Sequence, residues 1–304
     1  MGGGPAPAGP HVTAHVVRAD DAPGPTLVLR LDELPPGALA LSGELARVRH
    51  ALAARTPYAE LNKIAVYGAS TRPGVDLDYR FVQALPENRF DFRTGCGHSL
   101  LACVVADGRH HRPVTVRAVT TGDVIRCTPY GDSYSLDFLR APTAPGTLPT
   151  GRPVDLVDGV PVSVVRYGNP YVFVDLRHLP PDDRGADLER RLLALRARVA
   201  PTLGHAPHSP LPKIAAFTPT PHGGIAVRAL TVGGWHPRLA LTGAAALAAA
   251  GAIEGTVVPG PVTTIETPGG TVTTSTAPDR VRVHDKRARV LDRIRLPWRI
   301  HATA

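Results

Sequence analysis

Two lysines of this chain stand in matching phrases. Lys63 lies in Leu61-Asn62-Lys63-Ile64-Ala65, and Lys213 lies in Leu211-Pro212-Lys213-Ile214-Ala215. The chain has thirty-four lysines and arginines, and only three of them are lysines. A lysine whose pKa is lowered by burial can act as a base, whereas arginine stays protonated. The repeated phrase marks Lys63 as a candidate base and indicates that the chain contains two copies of one plan.

A cysteine follows Lys63 at Cys96-Gly97-His98, where small residues open an apolar helix. The first turn of an α-helix has unpaired N–H groups and partial positive charge, so a carboxylate binds there readily. A cysteine at such a position is partly thiolate and can exchange protons near neutral pH. The second half carries Thr242-Gly243-Ala244 at the equivalent place, and a hydroxyl is a poor proton acceptor. We therefore take Cys96 as a candidate acid or base and expect both helix starts to face one cleft.

The elements that must position these residues are mostly strands. Short runs rich in Val, Ile, Thr and Tyr are broken by Gly, Pro and Asp turns, which is typical of β structure. Four segments favour helices, at residues 42–55, 97–106, 188–199 and 243–252. The second and fourth carry almost no charge, and a helix that is apolar on every side is buried. Each half is therefore predicted to be a sheet around a central helix.

The repeated order of motifs also predicts the domain organisation. A period of about half of the 304 residues is too long for a solenoid and suits a duplicated domain. We expect a disordered lead over residues 1–10 and an N-terminal domain over 11–150 that the segment 286–304 completes. A C-terminal domain is expected over 151–285. Lys63 and Cys96 then belong to the first domain, and Lys213 and Thr242 to the second.

Composition argues against several classes of protein. The net charge of +8 comes almost wholly from scattered arginines, and aromatic residues are scarce, so no nucleic-acid partner is expected. The basic stretch that begins at Lys286 is interpreted as a solvated face. No apolar run reaches the roughly 18 to 20 residues of a membrane span, and no signal-peptide pattern is present, so we expect a cytoplasmic protein without membrane association. The three cysteines lack metal spacing, which argues against a disulfide framework and a metal site.

Several motifs in a fixed order resemble those of a known family. They are Lys63-Ile64-Ala65-Val66, Ser70-Thr71-Arg72-Pro73-Gly74-Val75-Asp76-Leu77-Asp78-Tyr79, Cys96-Gly97, Gly168-Asn169-Pro170, Pro212-Lys213-Ile214-Ala215, His236 ahead of Leu241-Thr242-Gly243-Ala244, and Pro268-Gly269-Gly270. In this order they resemble the 2-methylaconitate cis-trans isomerase (PrpF-like) family of the diaminopimelate-epimerase-like superfamily. The second motif is specific, whereas Cys-Gly-His and Gly-Asn-Pro occur across the whole superfamily.

The resemblance implies a fold, a reaction and a site. Members are α+β proteins of two pseudo-symmetric domains, each a β-barrel-like sheet around a central helix. They use no cofactor and bind a small unsaturated di- or tricarboxylate between two helix N-termini. The residues that match Lys63 and Cys96 move a proton from one end of an allylic system to the other. The candidate substrate-binding residues are Ser70, Arg72, Gly97, His98, Asn169, Lys213, His236, Thr242 and Gly243.

Some roles stay open at this point. Lys213 could anchor a substrate carboxylate or form a structural ion pair, and Asn169 could bind a carboxylate or serve only as a turn residue before proline. His98 and His236 could be proton shuttles, anion donors or ordinary helix-start and loop hydrogen bonders. Burial against Arg72 or a helix N-terminus could lower the pKa of Lys63.

One departure from the family concerns the substrate. Members begin with an Arg-Gly-Gly-Thr-Ser-Lys-Gly phrase, and this chain has Arg18-Ala19-Asp20-Asp21-Ala22-Pro23-Gly24-Pro25 in its place. Two aspartates there would repel a further carboxylate, so we expect a less acidic and more apolar substrate than a tricarboxylate. A conjugated acid, ester or lactone of a biosynthetic route would fit.

The preferred interpretation is a cofactor-independent isomerase that shifts a double bond, allylic or cis-trans, in an unsaturated carboxylate or related conjugated carbonyl compound. An epimerase, dehydratase or cyclase on the same scaffold stays open, as does a catalytically silent binding relative. The sequence leaves open whether the chain forms a homodimer.

Overall fold

The fold is built mainly from strands, as the sequence predicts. The computed structural model describes residues 11–35, 37–55, 58–181, 185–231 and 234–300, so the expected lead over 1–10 lies outside the described residues. The first elements in chain order are β1 (His11–Ala19), β2 (Thr26–Arg30), α1 (Leu39–Ala53), β3 (Lys63–Ala69), β4 (Leu77–Ala84), β5 (Phe90–Asp91), α2 (Gly97–Asp107), β6 (Val114–Ala118), β7 (Val124–Tyr130) and β8 (Ser133–Phe138). The later elements are β9 (Asp155–Val157), β10 (Val160–Tyr167), β11 (Asn169–Asp175), α3 (Gly185–Val199), β12 (Lys213–Pro219), β13 (Ile225–Thr231), β14 (Gly234–His236), α4 (Leu241–Gly251), β15 (Thr264–Thr267), β16 (Gly270–Ala277), β17 (Arg280–Lys286) and β18 (Ala288–Pro297).

The two halves share one topology. β1 and β2 pair antiparallel, β3 joins β2 in parallel after α1, and β4 returns antiparallel. The second half repeats this order with β10, β11, α3, β12 and β13. After the central helix, β6 runs parallel to β4, and β15 runs parallel to β13. The duplication is therefore one of strand order, and Lys63 and Lys213 begin equivalent strands.

The central helices α2 and α4 are buried on every side. Residues 97–105 of α2 and residues 241–250 of α4 are all buried. α2 contacts β1, β2, β3, β4, β6 and β18, whereas α4 contacts β10, β11, β16 and β17. Burial of a leucine such as Leu100 or Leu101 stabilises the fold by roughly 1.5–3 kcal/mol. The sheet around a central helix thus forms in each half.

The outer helices cover the opposite faces of the same strands. Leu41 and Leu45 of α1 pack with strand residues and Trp298 in one core, and Leu188 and Leu192 of α3 pack in another. β3 and β12 are therefore covered on both faces, which explains why they are apolar without alternation. Among the described helices, none is long and apolar enough to cross a membrane.

The chain returns to the first sheet earlier than expected. β17 already pairs with β8, and β18 pairs with β1. β16 pairs with both β15 and β17 and so joins the two sheets. The C-terminal completion of the first domain, expected over 286–304, therefore begins with the pairing of β17. The residue pattern of β17 predicts a strand, but it does not indicate that the partner of this strand is β8.

Candidate active site

Cys96 is the residue immediately before α2. Its backbone is extended, with φ −139° and ψ 108°, and its side chain makes no capping hydrogen bond. The Cys96 carbonyl accepts hydrogen bonds from the Leu100 amide at 3.0 Å and the Tyr79 hydroxyl at 2.9 Å. The thiol is partly buried and free of any disulfide. The backbone of this cysteine is thus held in place while its sulfur stays uncommitted.

Lys63 and Lys213 come from different halves, and both interact electrostatically with Cys96. Burial lowers the pKa of Lys63, and a negative charge on Cys96 opposes this while Arg18 adds to it. Burial also lowers the pKa of Lys213, where the charge of Cys96 opposes and that of Lys63 adds to the effect. The three side chains are therefore close enough to interact electrostatically. The amine form of each lysine becomes accessible at a lower pH than in water.

The two central helices begin against one another. A Cβ atom on Gly97 would lie 2.8 Å from Leu241 Cδ2, and one on Gly243 would lie 2.7 Å from the Tyr171 hydroxyl. Only glycine permits these approaches. The expected start of α4 at Gly243 is wrong by two residues, because the first helical residue is Leu241 and the first hydrogen bonds of the helix go to the Ala240 carbonyl. Thr242 thus lies inside the first turn, whereas Cys96 precedes its helix.

Asn169 ties the second half to the loop that carries Cys96. Its side-chain oxygen accepts from the Gly95 amide at 2.8 Å, and its side-chain nitrogen donates to the Gly95 carbonyl at 2.9 Å. The same nitrogen lies 3.4 Å from Thr242 Oγ1. Asn169 is 1% exposed, and these partners use its oxygen and both of its N–H groups. The side-chain amide of Asn169 is therefore occupied by partners within the protein and is not free to bind a carboxylate.

The two predicted histidines lie at the same site in neutral form. His98 is buried, and burial together with the charges of Lys286 and Lys63 lowers its pKa to about 3. Burial also lowers the pKa of His236, and the charges of Lys213 and Lys63 add to this effect. The Arg238 amide donates to His236 Nδ1 at 3.1 Å. In the neutral ring Nε2 then carries the proton, so His236 can donate a hydrogen bond but not a positive charge.

The third lysine of the chain also lies here, which the sequence did not reveal. Lys286 is 4% exposed, and its Nζ lies 2.6 Å from Asp21 Oδ2. Arg238 pairs with the other oxygen of Asp21. The solvated face predicted from Lys286 onward is therefore wrong for Lys286. The rarity of lysine in the chain was the signal that could have found it.

The pairing of Asp21 also corrects the expected repulsion. Asp20 is exposed, and Asp21 is held by two cations that lower the pKa of its carboxyl. The loop therefore presents no free pair of negative charges to a substrate. We define these three residues, Asp21, Lys286 and Arg238, as the Asp21 cluster.

Ser70 and Arg72 are not brought to this site. They follow β3 at the end opposite Lys63, and the Ser70 hydroxyl accepts the Arg72 amide at 3.2 Å. Arg72 is exposed. In the same turn, Asp76 pairs with Arg109, which follows the C-terminal end of α2 and therefore lies far from Cys96. Arg18, and not Arg72, is the arginine that acts on the pKa of Lys63.

Comparisons with known proteins agree with the motifs. No protein-family profile matches the chain. The Escherichia coli (strain K12) protein YbhH, named as an isomerase, is 30% identical over 238 residues, which cover 64% of this chain and 68% of YbhH. The chain belongs to the PrpF-like isomerase family. Another relative of this PrpF-like chain is 4-oxalomesaconate tautomerase of Pseudomonas putida, 28% identical over 242 residues, which cover 66% of this chain and 67% of the relative.

Solved structures confirm the fold of the PrpF-like chain. The crystal structure of a methylitaconate-delta-isomerase has a TM-score of 0.68 at 21% identity and covers 95% of this chain and 96% of its own. A hydroxyproline epimerase from Agrobacterium vitis has a TM-score of 0.59 at 14% identity, covering 94% of this chain and 92% of its own. The predicted α+β, diaminopimelate-epimerase-like fold is thus confirmed. Within the described ranges, no three His, Cys, Asp or Glu side chains are grouped as metal ligands would be.

Proposed function

We propose that this PrpF-like protein is a cofactor-independent isomerase that shifts a double bond within an unsaturated carboxylate or a related conjugated carbonyl compound. Lys63 is the principal base, and Cys96 is the acid that returns the proton. One observation carries the proposal. A lysine with a lowered pKa interacts with an uncommitted cysteine at the start of a buried helix. Paired groups of this kind supply general acid–base catalysis.

The proposed reaction conserves all atoms and electrons. The neutral amine of Lys63 removes a proton from the carbon next to the double bond, and the electron pair of that C–H bond becomes the new double bond. The former π pair moves toward the carboxylate as a dienolate. The Cys96 thiol then protonates the far carbon, and the ammonium returns a proton to the thiolate. No oxidant or reductant is needed.

The surroundings of the reacting pair suit a developing negative charge. The N-termini of α2 and α4 direct partial positive charge toward the cleft, which stabilises a dienolate. Lys213 is assigned to a substrate carboxylate, because no described carboxylate forms an ion pair with it and Asp91 acts on its pKa only through its charge. His236 supplies a neutral Nε2–H donor. The names of two relatives, a tautomerase and a (4E)-oxalomesaconate Delta-isomerase, support a proton shift that relocates a double bond.

Racemisation with two cysteines is less well supported. The second helix offers Thr242, whose hydroxyl accepts a hydrogen bond from the Asn169 amide nitrogen at 3.4 Å. A hydroxyl engaged in this way is a poor base. An epimerase, a dehydratase or a cyclase is the alternative on this scaffold.

Incubation in deuterated water separates these reactions. The protein is mixed with a panel of unsaturated mono-, di- and tricarboxylates and followed by proton NMR. We expect a product of unchanged formula, with a moved double bond and deuterium at the newly saturated carbon. Label without bond movement would indicate epimerisation, and loss of water would indicate dehydration. Lys63→Met is the control, because any label that persists in it arises outside the proposed site.

A further inference from the structure

The Asp21 cluster consists of one carboxylate between two cations. Each oxygen of Asp21 has a separate cationic partner, Lys286 on Oδ2 and Arg238 on Oδ1. The Asp21 side chain is 20% exposed, and that of Lys286 is 5% exposed. Two cations and one carboxylate leave a net positive charge in a largely buried place, where charge-assisted hydrogen bonds are strong.

The cations are held in position by the surrounding fold. Arg238 follows β14 in the second half and reaches across to the loop after β1. Its side chain lies flat on the Pro268-Gly269-Gly270 turn, where a Cβ on Gly269 would be only 2.5 Å from Arg238 Cγ. Lys286 ends β17, and the adjacent Arg287 carbonyl accepts the Asp20 amide at 3.1 Å. Two separate segments therefore converge on the carboxylate of Asp21.

Two histidines connect this cluster to the reacting pair. The Arg238 amide donates to His236 Nδ1 at 3.1 Å, and His98 lies in the first turn of α2, two residues after Cys96. The electrostatic partners of His98 include Lys286 and Asp21 as well as Lys63 and His236. His98 is 5% exposed. A substrate that reacts at Lys63 and Cys96 would therefore extend toward His98 and the Asp21 cluster. At that end it would meet cations already paired with Asp21.

We propose that Asp21 is a specificity-determining residue that occupies the place of a substrate carboxylate and so limits the number of carboxylates the site accepts. This inference rests on the proposed function in taking an unsaturated acid as the substrate. A substrate with an additional carboxylate would have to displace Asp21 from both cations. Removal of the Asp21 carboxylate frees Lys286 and Arg238 for such a group.

Protection of Cys96 from iodoacetamide measures binding without turnover. Cys103 and Cys127 are 0% exposed, so alkylation of the folded protein reports on Cys96. The probes are mesaconate and trans-aconitate, which differ by one carboxylate. We expect Asp21→Ala to lower the half-protecting concentration of trans-aconitate, relative to that of mesaconate, by at least about tenfold, the gain that one charged hydrogen bond supplies. Asp20→Ala, a change at the exposed neighbour, should keep the wild-type ratio.

Thermal unfolding gives a second measurement. Asp21→Ala leaves two cations unpaired, so its midpoint should fall and should recover in sodium formate but not in sodium chloride of equal ionic strength. Asp21→Asn keeps the side-chain volume and serves if the alanine variant does not fold. The inference would be overturned by any of three results. The ratio of protecting concentrations could be unchanged in Asp21→Ala, neither acid could protect Cys96, or the unfolding midpoint of Asp21→Ala could be insensitive to formate. If Asp21→Ala shifts the ratio of protecting concentrations but no acid in the NMR panel is converted, the proposed reaction is contradicted and the role of Asp21 is not.

Discussion

The side-chain amide of Asn169 forms two hydrogen bonds with the backbone of Gly95, which lies 74 positions away in the other half of the protein. These two hydrogen bonds have the same arrangement as those between two paired residues of neighbouring strands. Because Gly95 immediately precedes Cys96, these bonds from the second half hold the backbone that carries the Cys96 thiol. A displacement of about 1 Å at a reacting group can cost on the order of a hundredfold in rate.

We predict that Asn169→Asp lowers kcat by about 10- to 100-fold with little change in KM. The carboxylate cannot donate to the Gly95 carbonyl and repels it. The alkylation rate of Cys96, measured well below the temperature at which the protein unfolds, distinguishes positioning from general destabilisation. If Asn169 positions the thiol, this rate should also change in Asn169→Asp. Asn88→Asp, at an exposed asparagine in the turn between β4 and β5, is the control. Equal losses of kcat and stability with an unchanged alkylation rate would contradict a positioning role.

Cys96→Ala should reduce turnover by at least about a hundredfold, the smallest contribution usual for a general acid or base. Stability should change little, since the thiol is partly buried and makes no capping bond. Steady-state kinetics and urea unfolding measure the two effects. Cys103→Ala is the matched comparison, since it should lose stability through its buried position and keep most of its turnover. Full activity in Cys96→Ala would remove this residue from the mechanism.

The central helices and the lysine pair could be predicted because their signals are local. α4 has no charged residue, α2 has only Asp107 at its last position, and the phrases around Lys63 and Lys213 repeat almost letter for letter. The partners of these elements could not be predicted. Asp21 and Lys286 are 265 positions apart, and no periodic pattern links two ends of an ion pair.

A motif can also be specific for structural reasons. The segment with Ser70 and Arg72 resembled the family strongly, yet the structure places it at the far end of β3. Its Asp76 accepts the Thr115 amide and pairs with Arg109 and Arg112, so the turn is held by its own ion pairs. From the sequence alone, a residue kept for such pairing cannot be distinguished from one that touches substrate.

The close contact of the helix starts predicts that Gly97→Ala destabilises the protein. The added methyl group would overlap Leu241, and overpacking of this kind costs roughly 1–3 kcal/mol. Leu241→Ala in the same chain should recover part of the loss, which a double-mutant cycle of urea unfolding would show. Gly43→Ala is the control, because no atom lies within 4 Å of its added Cβ and alanine favours helix α1. Additive losses would indicate that the helices can separate freely at this point.

His98 predicts a specific loss of stability in acid. Its pKa is about 3 in the fold against an ordinary 6.5, so between these values the unfolded chain binds a proton that the folded chain does not. The free energy of unfolding should therefore fall as pH falls from 6.5, by up to about 1.4 kcal/mol per pH unit. Urea unfolding at several pH values should show a shallower slope for His98→Asn. The exposed His222→Asn should keep the wild-type slope; equal slopes in all three proteins would contradict the assignment.

Lys63→Arg separates a base from an anion anchor. Guanidinium keeps the charge but cannot deprotonate at working pH, so a base should lose at least about a hundredfold in kcat while mesaconate still protects Cys96. Lys213→Arg should keep kcat within about tenfold, since an anchor needs only positive charge. In the wild type, kcat should rise with pH as the amine of Lys63 forms, with a midpoint below the ordinary 10.5 because burial lowers its pKa. This limb should be absent from the residual activity of Lys63→Arg. If Lys63→Arg kept wild-type kcat and Lys213→Arg lost it, the roles of the two lysines would be exchanged, and the base would come from the second half of the chain.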